Sequence, residues 1–374
     1  SVLLDAPEIA DSDLPLAIDW FDPFHVEALH RGGTDRIRRM DLVEGARQTL
    51  LEQAARGDFF VCSNEAQRAH WLGWLASAGR LNHVMHEIDP RFEHLIGIAP
   101  FGIAHESIRR TQPIRSGFSS IGADDPVVLW AGGLHDWLDP LTVVRAMPTA
   151  LEHNPEIRLV FLAGPHPNTS IENMGIRGEA ITLARDLRLF SKSVIFVNQW
   201  IDYSERLNWL ADADIGIVAH RTGLESGFAH RTRLLDHLAA GLPTIASSGE
   251  AASGLMAAAG AAELVEPGDP RELGRVIAAL VADDDRRQAM SRAANTLAAT
   301  LSWETTLAPV LEWVRDPAVA ADRLPGVNTG VRGGIGASSS VDRFVGRARM
   351  HLDDGGPRQV LERAVRAGRR RLRG

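Results

Sequence analysis

The chain has 374 residues, 45% of them hydrophobic and 24% charged, with a formal net charge of -8. That is enough chain for two domains and a tail, and the acidic balance argues against nucleic acid as a partner. The single cysteine, Cys62, excludes an internal disulfide and a cysteine-rich metal site. With no long uncharged apolar run and no leader-like start, neither a transmembrane helix nor a signal peptide is expected, and the expected compartment is the cytoplasm.

In chain order, residues 16–19 and 59–62 read as buried strands, and 41–56 and 65–77 as helices. Residues 95–99 form a further strand that ends in Pro100-Phe101-Gly102. Residues 110–125, rich in Gly, Ser and Pro, read as a linker. From Pro126 a strand–helix alternation sets in. Strands are expected at 127–130, 158–164, 193–197, 215–219, 244–246 and 262–265. Helices are expected at 141–152, 178–187, 203–211, 271–282 and 285–298, and one more runs out of a Gly/Ser-containing loop at Glu225, with Arg231 and Arg233 in its first turn, and ends at Gly241. This rhythm predicts an α/β fold with a parallel, doubly wound sheet. Beyond Asp316 the composition reads as disordered, and residues 366–374 are dominated by arginine.

The most informative stretch is Glu225 to Pro243, which follows the apolar strand 215–219. Ligands of α/β proteins sit at the carboxyl ends of strands, beside the amino ends of the next helices. Here that place carries Glu225, then His230, Arg231 and Arg233, then Asp236. Carboxylates accept hydrogen bonds from hydroxyls, and guanidinium groups pair with phosphate oxygens, so the pattern suits a sugar attached to a diphosphate. Two residues apart on a helix, Arg231 and Arg233 point about 200° apart. One is expected to bind phosphate and the other to form a structural ion pair, with Arg231 preferred for phosphate. The one lysine, Lys192, precedes a strand, so it stands at the wrong end for a ligand. In Trp130-Ala131-Gly132-Gly133-Leu134-His135-Asp136-Trp137, two glycines allow close approach of backbone to a ligand. Asp139 and Pro140 then fit the cap and first position of a helix.

Leu235-Asp236-His237-Leu238-Ala239-Ala240-Gly241-Leu242-Pro243, with the preceding Glu225, resembles the donor-binding helix of GT-B glycosyltransferases, above all the retaining glycosyltransferase family four. The likeness spans roughly residues 10–315 and is most specific over 126–245. Two acids eight positions apart are usual in that family; eight before Asp236 stands Phe228, and Glu225 is eleven before. The resemblance implies two Rossmann-like domains facing a cleft. The acceptor-side domain and linker would span residues 1–115, the donor-binding domain with a crossover helix 116–315, and a flexible Arg-rich tail 316–374. The first domain is expected to be incomplete, because the family's is fuller. The resemblance further implies that Asp236 binds the ribose hydroxyls and that Glu225, the candidate catalytic residue, contacts the donor sugar. Gly132 and Gly133 would hold the diphosphate through their backbone, and Trp200 would stack on the nucleobase.

His135 and Trp137 are candidates for the donor wall, or packing pieces. His166, His220 and Arg221 end strands on the same side and are weaker donor candidates. Asp19 and Asp22 would either face the acceptor or cap their loop. No metal site and no cofactor are expected; the nucleoside-diphosphate sugar is a substrate. The implied partners are that donor and a saccharide or lipid-linked acceptor of envelope polysaccharide synthesis. The Arg-rich end reads either as a solvated tail or as a peripheral contact with anionic lipid at the inner face of a membrane. Two rival readings stay open. One is a nucleotide-sugar-binding partner subunit without transferase activity, the other a GT-B nucleotide-sugar epimerase.

Overall fold

Two parallel sheets carry the fold in the computed structural model, which describes residues 7–10, 12–31, 35–104, 106, 108–164 and 175–329. The first sheet has three strands in the order β1-β2-β3: Ala17–Asp19, Phe59–Cys62 and Ile96–Ile98. The second has six: β4 (Val127–Ala131), β5 (Arg158–Leu162), β6 (Val194–Val197), β7 (Ile215–Val218), β8 (Thr244–Ser247) and β9 (Ala262–Val265). Their order is β6-β5-β4-β7-β8-β9, all parallel. Helices cover such a sheet on both faces, so its central strands read as apolar runs rather than alternations. Val127 to Trp130 are accordingly all fully buried.

Helix ends follow local chemistry. Asp139 caps the helix Pro140–His153, its Oδ1 accepting from the Thr142 N–H at 3.0 Å, and Pro140 stands where the missing N–H costs nothing. Gly241, at φ +64, closes the helix Thr232–Ala240 in a left-handed conformation suited to glycine. Upstream, the long helix starts at Arg36 rather than at residue 41, because Asp35 caps it through the Arg38 N–H.

Three expectations need correction. The loop expected at Glu225 is a short helix, Leu224–Phe228, and an extended break separates it from the expected donor helix, Thr232–Ala240. Groups from elsewhere satisfy that break. Gln67 of the first domain donates to the Phe228 carbonyl at 2.7 Å, and Glu250 accepts from the Arg231 N–H at 3.0 Å. The linker contains a short helix, Pro113–Gly117, and packs on the donor-side sheet through Ile114 and Ile121. Residues 316–329 are placed against the first domain: Asp322 forms a buried ion pair with Arg80 at 2.8 Å, and the Ala320 N–H donates to Asp58 at 2.8 Å. The helix Ala308–Arg315 precedes them and crosses back as expected, Trp313 stacking on Phe59 at 5.7 Å between centroids. The Arg-rich end lies outside the described residues.

Candidate active site

The six-stranded sheet reverses its winding between β4 and β7. Connections run outward to β5 and β6 on one side and to β8 and β9 on the other. The loops at the carboxyl ends diverge there and leave a crevice. A cavity of about 470 Å³ opens beside it, lined by Gly132, Gly133 and His135 after β4, Gly164 after β5, and Gln199 and Trp200 after β6. Arg206, Thr232, Arg233 and Asp236 complete the wall. Lys192, in the turn before β6, lies at the opposite, amino ends of the strands.

Arg233 and Asp236 stand three apart on the helix Thr232–Ala240, so they share a face. Leu234, Leu235 and Leu238 hold the opposite face in the core. The Arg233 guanidinium lies 5.4 Å from the centroid of the Trp130 ring, and its Nη2 donates to the Gly133 carbonyl at 3.1 Å. Its buried Nη1 has no partner. Burial lowers the Arg233 pKa to about 10, and the nearby Arg231 charge acts in the same direction. A half-buried, incompletely paired guanidinium is a place for an anion. The turn supports this reading. Gly132 has φ +108, and a Cβ there would touch the Arg233 guanidinium at 3.4 Å. The N–H groups of Gly133, Leu134 and His135 meet no hydrogen-bond acceptor among the described residues.

Asp236 faces the same cavity, its Oδ1 accepting from Arg206 Nε at 3.0 Å. Desolvation raises the Asp236 pKa against that hydrogen bond. Arg206 in turn lies 3.5 Å from the Tyr203 ring centroid and donates to both oxygens of Glu106, at 3.0 and 2.8 Å. Its pKa is also raised: desolvation acts downward and is outweighed by the hydrogen bonds to Glu106 and Asp236. Trp200, 53% exposed, stands at the cavity's edge.

Glu225 and Arg231 are placed differently from expectation. Glu225 lies in a short helix rather than a loop, and it is buried. Both its oxygens accept from Arg231, at 3.0 and 2.8 Å. Arg231 is therefore the arginine of the structural ion pair, and Arg233 is the one left open to a phosphate, the reverse of the sequence preference. Glu225 lines a second, smaller cavity of about 140 Å³ with Asp22, Glu27, Trp137, His230 and Arg231; Thr232 and Arg233 line both cavities. His135 on one side stacks on Trp137 on the other, 4.7 Å between centroids and 6° between planes.

Asp19 caps its own loop, accepting from the Phe21 N–H at 2.9 Å, whereas Asp22 reaches the smaller cavity. His220 is buried with its Nδ1 turned to the Arg221 carbonyl. His166 lies outside the described residues. Among the described residues no group of three or more His, Cys, Asp or Glu is placed to hold a metal ion, and no helix is long and apolar enough to cross a membrane. Sequence reasoning missed Arg206, Arg177 and Glu27. Arg206 and Arg177 line the larger cavity and Glu27 the smaller. Arg206 follows the loop after β6, the one signal that pointed to it.

Residues 125–283 match the family described as glycosyl transferases group 1. A search of curated proteins returned no match. The whole fold resembles sucrose-phosphate synthase from Thermosynechococcus elongatus, at 16% identity and TM-score 0.60, covering 83% of this chain and 70% of that one. It also resembles HepE from Anabaena in complex with UDP, at 13% identity and TM-score 0.58, covering 80% and 72%. An α,α-trehalose-phosphate synthase (UDP-forming) from Burkholderia vietnamiensis is similar at 14% identity and TM-score 0.59, covering 85% and 69%. The fold is that of the GT-B glycosyltransferases.

Proposed function

We propose that this chain is a glycosyltransferase and that it binds a nucleoside-diphosphate sugar in the larger cavity. The sugar would pass, with retention of configuration, to a saccharide or lipid-linked saccharide of envelope polysaccharide or glycan synthesis. The observation that carries the donor reading is Arg233, incompletely paired against the Gly132-Gly133 turn, with Asp236 on the same helix face. In this arrangement the diphosphate lies against the free backbone N–H groups and Arg233, which offset the charge that grows on it as the glycosidic bond breaks. Asp236 takes the ribose hydroxyls and Trp200 the base. Glu225, fixed by Arg231, borders the place where the sugar emerges and acts by positioning rather than as a base.

Uridine nucleotides are the first donors to test, since HepE is known in complexes with UDP and with UDP-glucose. An acceptor on the inner membrane surface, reached through the Arg-rich end, completes the proposal and rests on the composition of residues 366–374 alone. The test is release of nucleoside diphosphate from UDP-, GDP-, ADP- and TDP-sugars in the presence of saccharide acceptors. Release from one donor, lost in Asp236→Ala, supports the proposal. No release from any donor by the folded protein overturns it in favour of a non-transferring partner subunit. Conversion of the nucleotide sugar without acceptor overturns it in favour of an epimerase.

A further inference from the structure

One oxygen of Asp236 is tied down and the other is not. Oδ1 accepts from Arg206 Nε at 3.0 Å, and Oδ2 has no hydrogen-bond partner among the described residues. Arg206 is itself fixed from several sides. Its Nη1 donates to Glu106 at 3.0 Å and to the Tyr203 carbonyl at 2.9 Å, and its Nη2 donates to Glu106 at 2.8 Å. The guanidinium lies 3.5 Å from the Tyr203 ring centroid. Leu207 and Leu210 anchor its short helix, Arg206–Leu210, in the core. Glu106 comes from the connection between β3 and β4, which carries the chain from the first sheet to the second. That connection is pinned at the same place twice more. The Arg109 N–H donates to Asn208 Oδ1 at 2.7 Å, and the Arg109 guanidinium pairs with Glu205.

Arg206 therefore has little left to offer a phosphate. Four of its five N–H groups are taken, and two carboxylates share its single charge. Arg233, by contrast, keeps a buried Nη1 without a partner. What Arg206 supplies is aim: with Oδ1 fixed on it, Oδ2 is the Asp236 oxygen left open to hydroxyls. It also supplies charge. Desolvation raises the Asp236 pKa, the hydrogen bond and charge of Arg206 lower it, Glu106 raises it and Arg233 lowers it. Without Arg206, burial and Glu106 would both favour the protonated acid, with Arg233 alone opposing them.

We propose that Arg206, braced by Glu106 from the connection between the sheets, is a positioning residue that acts through Asp236 on the ribose hydroxyls of the bound nucleotide. The donor site then includes part of the interdomain connection. This rests on the donor reading above.

The test compares a nucleotide with an analogue that lacks the ribose hydroxyls. Calorimetry ranks UDP, GDP, ADP and TDP on the wild-type chain, and the tightest is paired with its 2′,3′-dideoxy analogue. Arg206→Met is expected to raise the Kd of the parent nucleotide about tenfold, the size of one hydrogen bond to a charged group. The Kd of the dideoxy analogue should stay within about twofold of wild type, as for a group with no coupling to the change. Glu106→Gln, at a half-exposed site, should show the same selectivity with a smaller loss, and it keeps the test open if Arg206→Met does not fold. An equal loss for parent and analogue in either variant overturns the proposal, because Arg206 would then touch the nucleotide elsewhere or merely shape the cavity. Unchanged binding of the parent in both variants also overturns it. Asp236→Ala separates this proposal from the donor reading: it should remove the difference between parent and analogue. If that difference survives in Asp236→Ala, or if no nucleotide binds the wild-type chain, the donor reading fails and this proposal with it.

Discussion

Replacing Arg231 by Met is expected to damage the fold, not the diphosphate site. Arg231 and Glu225 are each about 6% exposed in their side chains and share two hydrogen bonds. Removing the guanidinium leaves the Glu225 carboxylate buried near Asp22 and Glu27, with no cation to offset it. Breaking a buried pair from one side costs about 3–5 kcal/mol, largely the energy of the charge left behind. For a donor-side unit of roughly 190 residues, the unfolding entropy is about 0.4 kcal/mol per degree, so the melting temperature should fall by about 10 °C. The double variant Glu225→Gln/Arg231→Met removes both charges and should recover most of that loss. The assay is thermal unfolding followed by circular dichroism, with nucleotide affinity measured well below the melting point. A fall of less than about 2 °C combined with lost nucleotide affinity would refute the reasoning. It would make Arg231 the phosphate ligand that the sequence alone suggested.

Three further outcomes follow. Arg233→Met should weaken nucleoside diphosphate binding about 10- to 100-fold in calorimetry, the size of a hydrogen bond to a charged group. It should leave the ligand-free melting temperature unchanged or higher, because a half-buried guanidinium with an unpartnered, buried Nη1 is removed. Glu27 should make stability depend on pH. Its folded pKa of about 7 lies above its ordinary 4.5, so the folded state holds the proton longer and stability falls as pH rises through that window, by at most about 3 kcal/mol. Burial sets this shift first, with the charges of Asp22 and Glu225 adding to it and Arg31 opposing it; Glu27→Gln should flatten the melting-temperature profile between pH 5 and 8, and an unchanged profile would count against the assignment. Asp322→Ala should strand the buried Arg80 and destabilise the first domain by about 3–5 kcal/mol in urea unfolding; a change below about 1 kcal/mol would detach residues 316–329 from that domain.

What could be read from the sequence was whatever depends on short-range pattern. The apolar strands, the Asp139-Pro140 helix start and the Gly241 helix stop all lie where local chemistry puts them. The short helix Leu224–Phe228 and the extended break after it were not legible, because the groups that hold the break, Gln67 and Glu250, come from 161 positions before and 19 after. The roles of Arg231 and Arg233 were exchanged for the same reason. Helical geometry showed that the two point apart, but only the tertiary placement of Glu225 and of the Gly132-Gly133 turn shows which one is paired. Asp236 lies on the cavity wall at the place the motif implied, while its partner Arg206 needed the fold to bring it there. The smaller cavity joins residues about 200 positions apart, and no local spacing could have announced it.

The most direct test of the donor site is a thermal-shift titration of the wild-type chain, Arg233→Met and Asp236→Ala against UDP, GDP, ADP and TDP. The account predicts that one nucleotide raises the wild-type melting temperature and that the rise is lost in both variants, whose ligand-free melting temperatures do not fall. A nucleotide-induced rise that survives in both variants would contradict the site described here, and so would the absence of any rise in the wild type.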